Sequence, residues 1–305
     1  MKRFVVSSEK TLAVVLAQLS IPSTFVRDGR VFVGSVRARI EAHPLSPGDE
    51  IRIQEPESAH DRSPQGKLDI LFEDEELCVV HKPAGISTIG DQKSESDSLR
   101  GLVAAHRGRT SEHVHATSRL DRLVSGVVTF ALSKRARDEL SRARDEGHYE
   151  RRYFAIAQPT KRFTSMARIW NAPIGRAKNP RLRMIGGKDA TLATTHTALV
   201  ERTAEAMLLA LEPQTGRTHQ LRLHAAHAGL PLFGDKDYGG ATSFTGDDGS
   251  VMAIRRIALH AARIRFPHRG RVLEWRAPVD SELALLWKSL GGPDEAWNTA
   301  WSCDV

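Results

Sequence analysis

Residues 116–130 read ATSRLDRLVSGVVTF, a polar segment that runs directly into an apolar one. Asp121 stands between Arg119 and Arg122, and the apolar run from Gly126 predicts a buried strand. A surface turn with local ion pairs would explain this composition, because exposed ion pairs are common and contribute little. The alternative is that this polar cluster, with a carboxylate between two arginines directly before a strand, belongs to a functional site.

A second polar cluster reads QTGRTHQLRLH over residues 214–224 and lies at a predicted strand-to-helix junction. Thr218 is placed to cap a short helix that runs from about His219 to Ala228. Free backbone N–H groups in the first turn of such a helix bind phosphate, and Arg222 lies in that turn.

In the rest of the sequence, β-strand patterns outnumber helical ones and do not alternate with them regularly. This order predicts an α+β fold rather than a doubly wound α/β fold. Helices are predicted at 134–146, about 219–228 and 282–290. Strands are predicted at 68–72, 77–80, 126–131, 153–157, 192–200, 206–211, 257–266 and 272–275.

The chain divides by composition into four segments. Residues 1–57 have the pattern of a small unit with a helix, a hairpin and a strand. Residues 58–67 contain little that can be buried and are predicted to be a linker. The main domain spans 68–292, and residues 293–305 form a C-terminal tail.

Length and composition exclude several classes of protein. The 305 residues carry 44 Lys and Arg against 37 Asp and Glu, a net charge of +7, which favours an anionic partner. No run reaches the roughly 18 apolar residues that a membrane helix needs, so no membrane association is expected. Two cysteines, Cys78 and Cys303, are too few for a disulfide framework, which favours a cytoplasmic location.

Several catalytic motifs are missing from the sequence. Neither G-x-G-x-x-G nor the P-loop pattern occurs, so no dinucleotide or ATP site is indicated. Ser125 lacks the flanking glycines of a nucleophile elbow. His219, His224 and His227 crowd one segment without an acidic or cysteine ligand, so a metal hydrolase is a distant alternative.

Six fragments together resemble the RluA-like pseudouridine synthases in their order and spacing. They are the two clusters above and HKPAG at 81–85, RYFA at 152–155, GDKDYG at 234–239 and LHA at 259–261. The resemblance covers residues 68–290 and implies a bent, mainly antiparallel or mixed sheet with flanking helices. Residues 1–57 are similar to the small alpha-L RNA-binding module of ribosomal proteins.

The resemblance implies an isomerase that acts on RNA without metal or cofactor. Such enzymes detach uracil from its ribose, rotate the base and rejoin it through carbon 5. By match to the family motifs, Asp121 is the catalytic carboxylate, Arg222 pairs with it, and Tyr153 stacks on the target base. A buried Tyr that only packs a strand is the alternative for Tyr153.

The resemblance also implies RNA contacts, because a flipped base must be compensated by strong phosphate binding. Arg119 and Arg122 are candidates for phosphate contact and for filling the vacated space. Arg217 and His219 are further phosphate candidates. Leu259 matches a position beside the base, with a plain core leucine as the alternative.

Two residues depart from the family pattern. Ser118 stands where the family usually has histidine, and Val124 where it has threonine. Neither is the reacting group, so altered target choice and a degenerate RNA-binding protein both remain open. Ribosomal RNA is the expected target, with transfer RNA as the alternative, and the chain is expected to be a monomer.

The surplus of positive charge is concentrated in one segment of the chain. Residues 1–57 hold eight Lys and Arg against seven Asp and Glu. Residues 161–188 hold eight Lys and Arg and no acidic residue. We call 161–188 the basic flank and predict that it is β-rich and contacts RNA phosphates.

Overall fold

The computed structural model describes residues 2–6, 8–19, 26, 31–34, 36–38, 43–53, 68–90, 94–245 and 251–305. The chain divides into two compact units, residues 1–62 and 63–305. The predicted boundary at residue 57 and the predicted linker 58–67 lie outside the described residues. None of the described helices is long and apolar enough to cross a membrane.

Among its described residues, the first unit contains a small sheet and the helix α1 (Leu12–Gln18). Its sheet has the strand order β1-β6-β3-β4, and β2 pairs with β5. In β6, Ile51 and Ile53 alternate with more exposed residues and join Leu12 and Leu16 in the core of this unit. The strands are β1 (Lys2–Val5), β2 (Lys10–Thr11), β3 (Val31–Val33), β4 (Val36–Arg37), β5 (Pro44–Leu45) and β6 (Glu50–Ile53).

The second unit contains the strands that follow along the chain. They are β7 (Asp69–Glu73), β8 (Leu77–Lys82), β9 (His115–Ala116), β10 (Ser125–Ala131), β11 (Glu150–Ala157), β12 (Ile169–Trp170), β13 (Ile174–Arg176), β14 (Arg183–Ile185), β15 (Lys188–Thr191), β16 (Thr195–Arg202), β17 (Met207–Pro213), β18 (Ser243–Thr245), β19 (Val251–Ala253), β20 (Leu259–His268) and β21 (Arg271–Arg276). The main sheet has the order β12-β16-β17-β11-β20-β10-β8-β7, with β9 on β10 and β21 on β20. Within the described residues its pairings are antiparallel except for the parallel pair β10 and β20. The mainly antiparallel, mixed sheet of the predicted α+β fold is therefore confirmed.

The second unit also contains the remaining helices, which flank the sheet. They are α2 (Leu99–His106), α3 (Lys134–Asp145), α4 (Gln220–His227), α5 (Ser281–Ser289) and α6 (Ala296–Ser302). The sequence analysis missed α2, in which Gly101 weakens the helical pattern and Ser98 caps the first turn. Residues 293–305, set apart above as a tail, contain α6, whose Trp297 is buried in a core cluster.

The two faces of the main sheet carry separate cores. Alternation along β11 puts Tyr153 and Ala155 into the larger core, while Phe154 and Ile156 join the core that contains Trp287 of α5. The predicted β-rich basic flank is confirmed, because β13 pairs with both β14 and β15 in a small sheet.

The parallel junction of β10 and β20 is unusually tight. Gly126 pairs with Ala261 and has φ of 121°, a conformation that L side chains rarely adopt. A Cβ at Gly126 would lie 2.2 Å from the backbone oxygen of Ala261. The Gly that follows Ser125 therefore permits the approach of the two strands, directly after the loop that carries Asp121.

Candidate active site

The loop that carries Asp121 is tied to the turn after β8. The backbone N–H of Gly85 donates to the Arg122 carbonyl at 2.7 Å, and the Arg122 Nε donates back to the Gly85 carbonyl at 2.8 Å. The buried Lys82 donates its Nζ to the carbonyls of Pro83, Ile86 and Arg122, and burial lowers its pKa to about 7. The HKPAG fragment thus fixes the backbone beside Asp121.

Arg222 of α4 is shared by three carboxylates. Its Nη1 donates to Asp121 Oδ2 at 2.8 Å, so the predicted pairing is present in the structure. Its Nε and Nη2 form a bidentate pair with Asp235 at 2.7 Å each, and Nη2 also reaches Asp237 at 2.9 Å. The principal buried partner of Arg222 is therefore Asp235, which the sequence analysis did not single out.

Arg222 and its carboxylate partners differ in how far their side chains are exposed to solvent. The side chains of Arg222 and Asp235 are 5% and 1% exposed, whereas Asp121 is 32% exposed. Burial by itself would lower the pKa of Arg222, but its hydrogen bonds to Asp235 and the charges of Asp235 and Asp121 raise that pKa above its usual value. Arg222 is thus a fixed cation that holds one oxygen of a partly open carboxylate.

Helix α4 begins differently from the prediction. Its N-cap is His219 in the left-handed conformation, with φ of 58°, and Thr218 does not cap it. The buried Gln220 side chain instead accepts from the Arg217 backbone N–H at 3.0 Å and from Thr215 Oγ1 at 2.7 Å. The Gln220 amide therefore fixes the segment that precedes the helix, and the capping hydrogen bond expected of Thr218 is not made.

His219 lies between Asp121 and Tyr238. Its Nδ1 is 2.8 Å from the Tyr238 hydroxyl, and its Nε2 is 3.9 Å from Asp121 Oδ1. Burial lowers the pKa of His219, an effect that the Asp121 charge opposes. The Tyr238 ring lies against the Arg222 guanidinium, and its centroid is 5.0 Å from Arg222 Cζ.

Tyr153 and Leu259 come from adjacent strands, β11 and β20. Tyr153 is 7% exposed and Leu259 is 4% exposed. Burial raises the pKa of the Tyr153 phenol, so the hydroxyl stays protonated near neutral pH. Both residues belong to the larger core and also line a cleft.

One cleft of about 750 Å³ brings together all eight residues to which the resemblance gives a catalytic or RNA-binding role. Arg119, Arg122 and Arg217 are exposed at this cleft, and Arg217 Nε donates to the Leu192 carbonyl at 3.1 Å. Ser118 and Val124, the two departures from the family pattern, also line it. The eight residues are Arg119, Asp121, Arg122, Tyr153, Arg217, His219, Arg222 and Leu259.

Sequence reasoning missed several residues of this site. Arg144 and Arg151 line the cleft as further cations, and Arg151 donates to the carbonyls of Pro213 and Thr215. Asp235 and Tyr238 contact Arg222 from the GDKDYG fragment. That fragment, already part of the resemblance, was the available signal for both.

The histidine cluster does not form a metal site in the described residues. His224 Nδ1 lies 3.0 Å from Thr195 Oγ1, and its Nε2 lies 2.9 Å from the Ala172 carbonyl. Both ring nitrogens of His224 therefore face protein atoms. No group of three or more potential metal-binding side chains occurs in the part of the chain that the structure describes.

Comparison with known proteins shows the family of the chain. The sequence profile of the RNA pseudouridylate synthase family matches residues 76–227. The RNA pseudouridine synthase YhcT of Bacillus subtilis is 36% identical over 248 residues, which cover 78% of each chain. The chain belongs to the RluA-like family of RNA pseudouridine synthases. It is thus a member of a family of isomerases that act on RNA.

Other relatives of this pseudouridine synthase carry names that specify an RNA. Ribosomal large subunit pseudouridine synthase D of Xylella fastidiosa is 33% identical over 278 residues, covering 87% of this chain and 82% of the relative. Among solved structures, human RNA pseudouridylate synthase domain containing 4 superimposes with a TM-score of 0.58 at 21% identity. That match covers 73% of this chain and 93% of the human one, and it supports the same fold.

Proposed function

We propose that this pseudouridine synthase isomerises uridines in ribosomal RNA, with Asp121 as the catalytic carboxylate. The observation that carries the proposal is the position of Asp121, which is held by Arg222 and is the one carboxylate among the described residues that line the cleft, beside six arginines. The names of the large-subunit relatives support ribosomal RNA as the target.

The contacts and exposure of Asp121 are those expected of a nucleophile. Oδ2 accepts from Arg222 at 2.8 Å, and the side chain is 32% exposed at the cleft. Arg222 holds one carboxylate oxygen in place, and the open side gives a nucleotide access to the carboxylate. Asp121 therefore attacks the nucleotide or assists the departure of uracil.

The walls of the cleft fit a flipped nucleotide. Tyr153 offers a ring and Leu259 an apolar contact on neighbouring strands, and we assign them to the target base. Because burial keeps the Tyr153 phenol protonated, stacking and hydrogen-bond donation are the roles that it can take. Arg119, Arg122 and Arg217 are exposed beside them and are assigned to phosphates.

The proposal is tested by incubating the purified protein with transcripts of large-subunit ribosomal RNA and, separately, with bulk transfer RNA. Pseudouridine is then mapped by carbodiimide modification and primer extension. We expect conversion of discrete uridines in the ribosomal transcript. Conversion only in transfer RNA would contradict the proposed target, and binding without conversion would identify a degenerate RNA-binding protein.

The basic flank is proposed to bind RNA alongside the cleft. Lys178→Glu with Arg181→Glu reverses two exposed charges there, so RNA affinity should fall and the slope of log Kd against log salt should decrease by about one to two. Fluorescence anisotropy between about 50 and 200 mM salt measures both quantities. The matched control is Arg271→Glu with Lys288→Glu, an equal charge change at exposed positions outside the flank, and an equal effect of both pairs would contradict the assignment.

A further inference from the structure

The two nitrogens of His219 face different groups. Nδ1 lies 2.8 Å from the Tyr238 hydroxyl, and Nε2 points to Asp121 Oδ1 at 3.9 Å. The backbone of His219 is left-handed, a conformation that costs free energy for a residue with a Cβ and persists only where the surroundings impose it. The ring is therefore held in a defined place between a phenol and a carboxylate.

The tautomer of His219 depends on the direction of its hydrogen bond with the Tyr238 hydroxyl. The Tyr238 oxygen accepts the backbone N–H of Arg183 at 3.0 Å, so its own proton is free to be donated. His219 Nδ1 lies 2.8 Å from this hydroxyl and can accept that proton. A neutral imidazole whose Nδ1 accepts a hydrogen bond carries its proton on Nε2, which is the nitrogen that faces Asp121.

The two oxygens of Asp121 then have different neighbours. Oδ2 accepts from Arg222 Nη1 at 2.8 Å, while Oδ1 faces His219 Nε2. A separation of 3.9 Å is longer than a hydrogen bond, but catalytic hydrogen bonds are often long without substrate and shorten when it binds. Burial, which lowers the pKa of His219, favours the neutral ring that this arrangement needs.

We propose that His219 is a positioning residue for Asp121: Tyr238 holds it in the Nε2-protonated form, and Nε2–H donates to Oδ1 once the nucleotide is bound. This inference rests on the proposed role of Asp121. It replaces the phosphate contact expected for His219 from the sequence, because neither ring nitrogen is then directed at RNA. It also links the basic flank to the carboxylate, since Arg183 is a residue of the flank.

Two substitutions of His219 separate positioning from other roles. The amide nitrogen of Gln takes the place of Nε2, whereas that of Asn takes the place of Nδ1. We expect His219→Gln to keep the single-turnover rate within about threefold, and His219→Asn to lower it about tenfold or more, the usual range for a hydrogen bond to a charged group. RNA affinity should stay within about twofold in both.

The comparison controls for backbone strain, because Asn tolerates the left-handed conformation at least as well as Gln. Equal rates in the two variants would overturn the proposal. A loss of RNA affinity with an unchanged rate would restore the phosphate contact. If instead Asp121→Asn kept full activity, the proposed function would fail, whatever the His219 variants showed.

The proton position is measured directly by ¹⁵N NMR of histidine-labelled protein, with His219 assigned by its absence from the His219→Gln spectrum. We expect a protonated Nε2 and an acceptor Nδ1 in the wild type, and a mixture of tautomers in Tyr238→Phe. Tyr149→Phe is the matched control and should leave the His219 signals unchanged, because its hydroxyl bonds Thr117 and Thr129. A proton on Nδ1 in the wild type would overturn the proposal.

Discussion

Asp121→Asn is expected to lower the rate of pseudouridine formation about a thousandfold or more, because a neutral amide cannot act as the nucleophile. The free energy of unfolding should change by less than about 1 kcal/mol, since the side chain is 32% exposed and Arg222 keeps its buried partner. Single-turnover assays on ribosomal RNA measure the first quantity, and urea denaturation measures the second.

Asp237→Asn is the matched control for this prediction. Asp237 also bonds Arg222, at 2.9 Å, and its side chain is 40% exposed, so the substitution removes the same charge from the same cation. Asp237 does not line the cleft, and we expect the single-turnover rate of Asp237→Asn to fall less than tenfold. Full turnover by Asp121→Asn, or an equal loss in both variants, would be inconsistent with Asp121 as the catalytic carboxylate.

Most strands of the fold could be predicted from the local order of apolar and polar residues. The predicted strands at 68–72, 77–80 and 126–131 depend on residues next to one another in the chain, and they are confirmed as β7, β8 and β10. Helix α6 was missed because its stability depends on tertiary packing, in which Trp297 meets the core around Phe154. Its sequence alone has no such partner.

The start of α4 shows why site geometry was less predictable than the fold. Thr218 has good N-cap chemistry, but the Gln220 side chain also bonds Thr194 and Thr195, which lie far back along the chain. These contacts bury Gln220 and direct its amide oxygen to the Arg217 N–H. A local preference was therefore overridden by hydrogen bonds that exist only after β16 has packed.

The pairing of Asp121 with Arg222 was predictable from the motif match, whereas the GDKDYG fragment pointed to Asp235 without indicating which residue it contacts. Asp235 follows Arg222 by 13 residues and reaches it through a turn in which Gly234 has φ of 77°. A Cβ at Gly234 would lie 1.7 Å from the Arg256 carbonyl oxygen. The turn therefore depends on a close backbone contact that no spacing rule encodes.

Arg222→Ala is expected to lower the free energy of unfolding by about 3–5 kcal/mol, because it leaves the buried Asp235 without its cation. Activity should be lost as well, since Asp121 loses the group that holds Oδ2. Chemical denaturation of the purified variant measures the first effect. A variant as stable as the wild type would contradict the assignment of Arg222 and Asp235 as a buried ion pair.

A double-mutant cycle distinguishes the two carboxylates as the source of this instability. Adding Asp235→Asn to Arg222→Ala removes the buried carboxylate charge that has lost its cation. The double variant should therefore be clearly more stable than the summed losses in the free energy of unfolding of the two single variants predict. Adding Asp121→Asn instead should recover little, because water already solvates part of that carboxylate. The difference between the two cycles would show that Asp235 supports the fold through Arg222, which leaves Asp121 free to react.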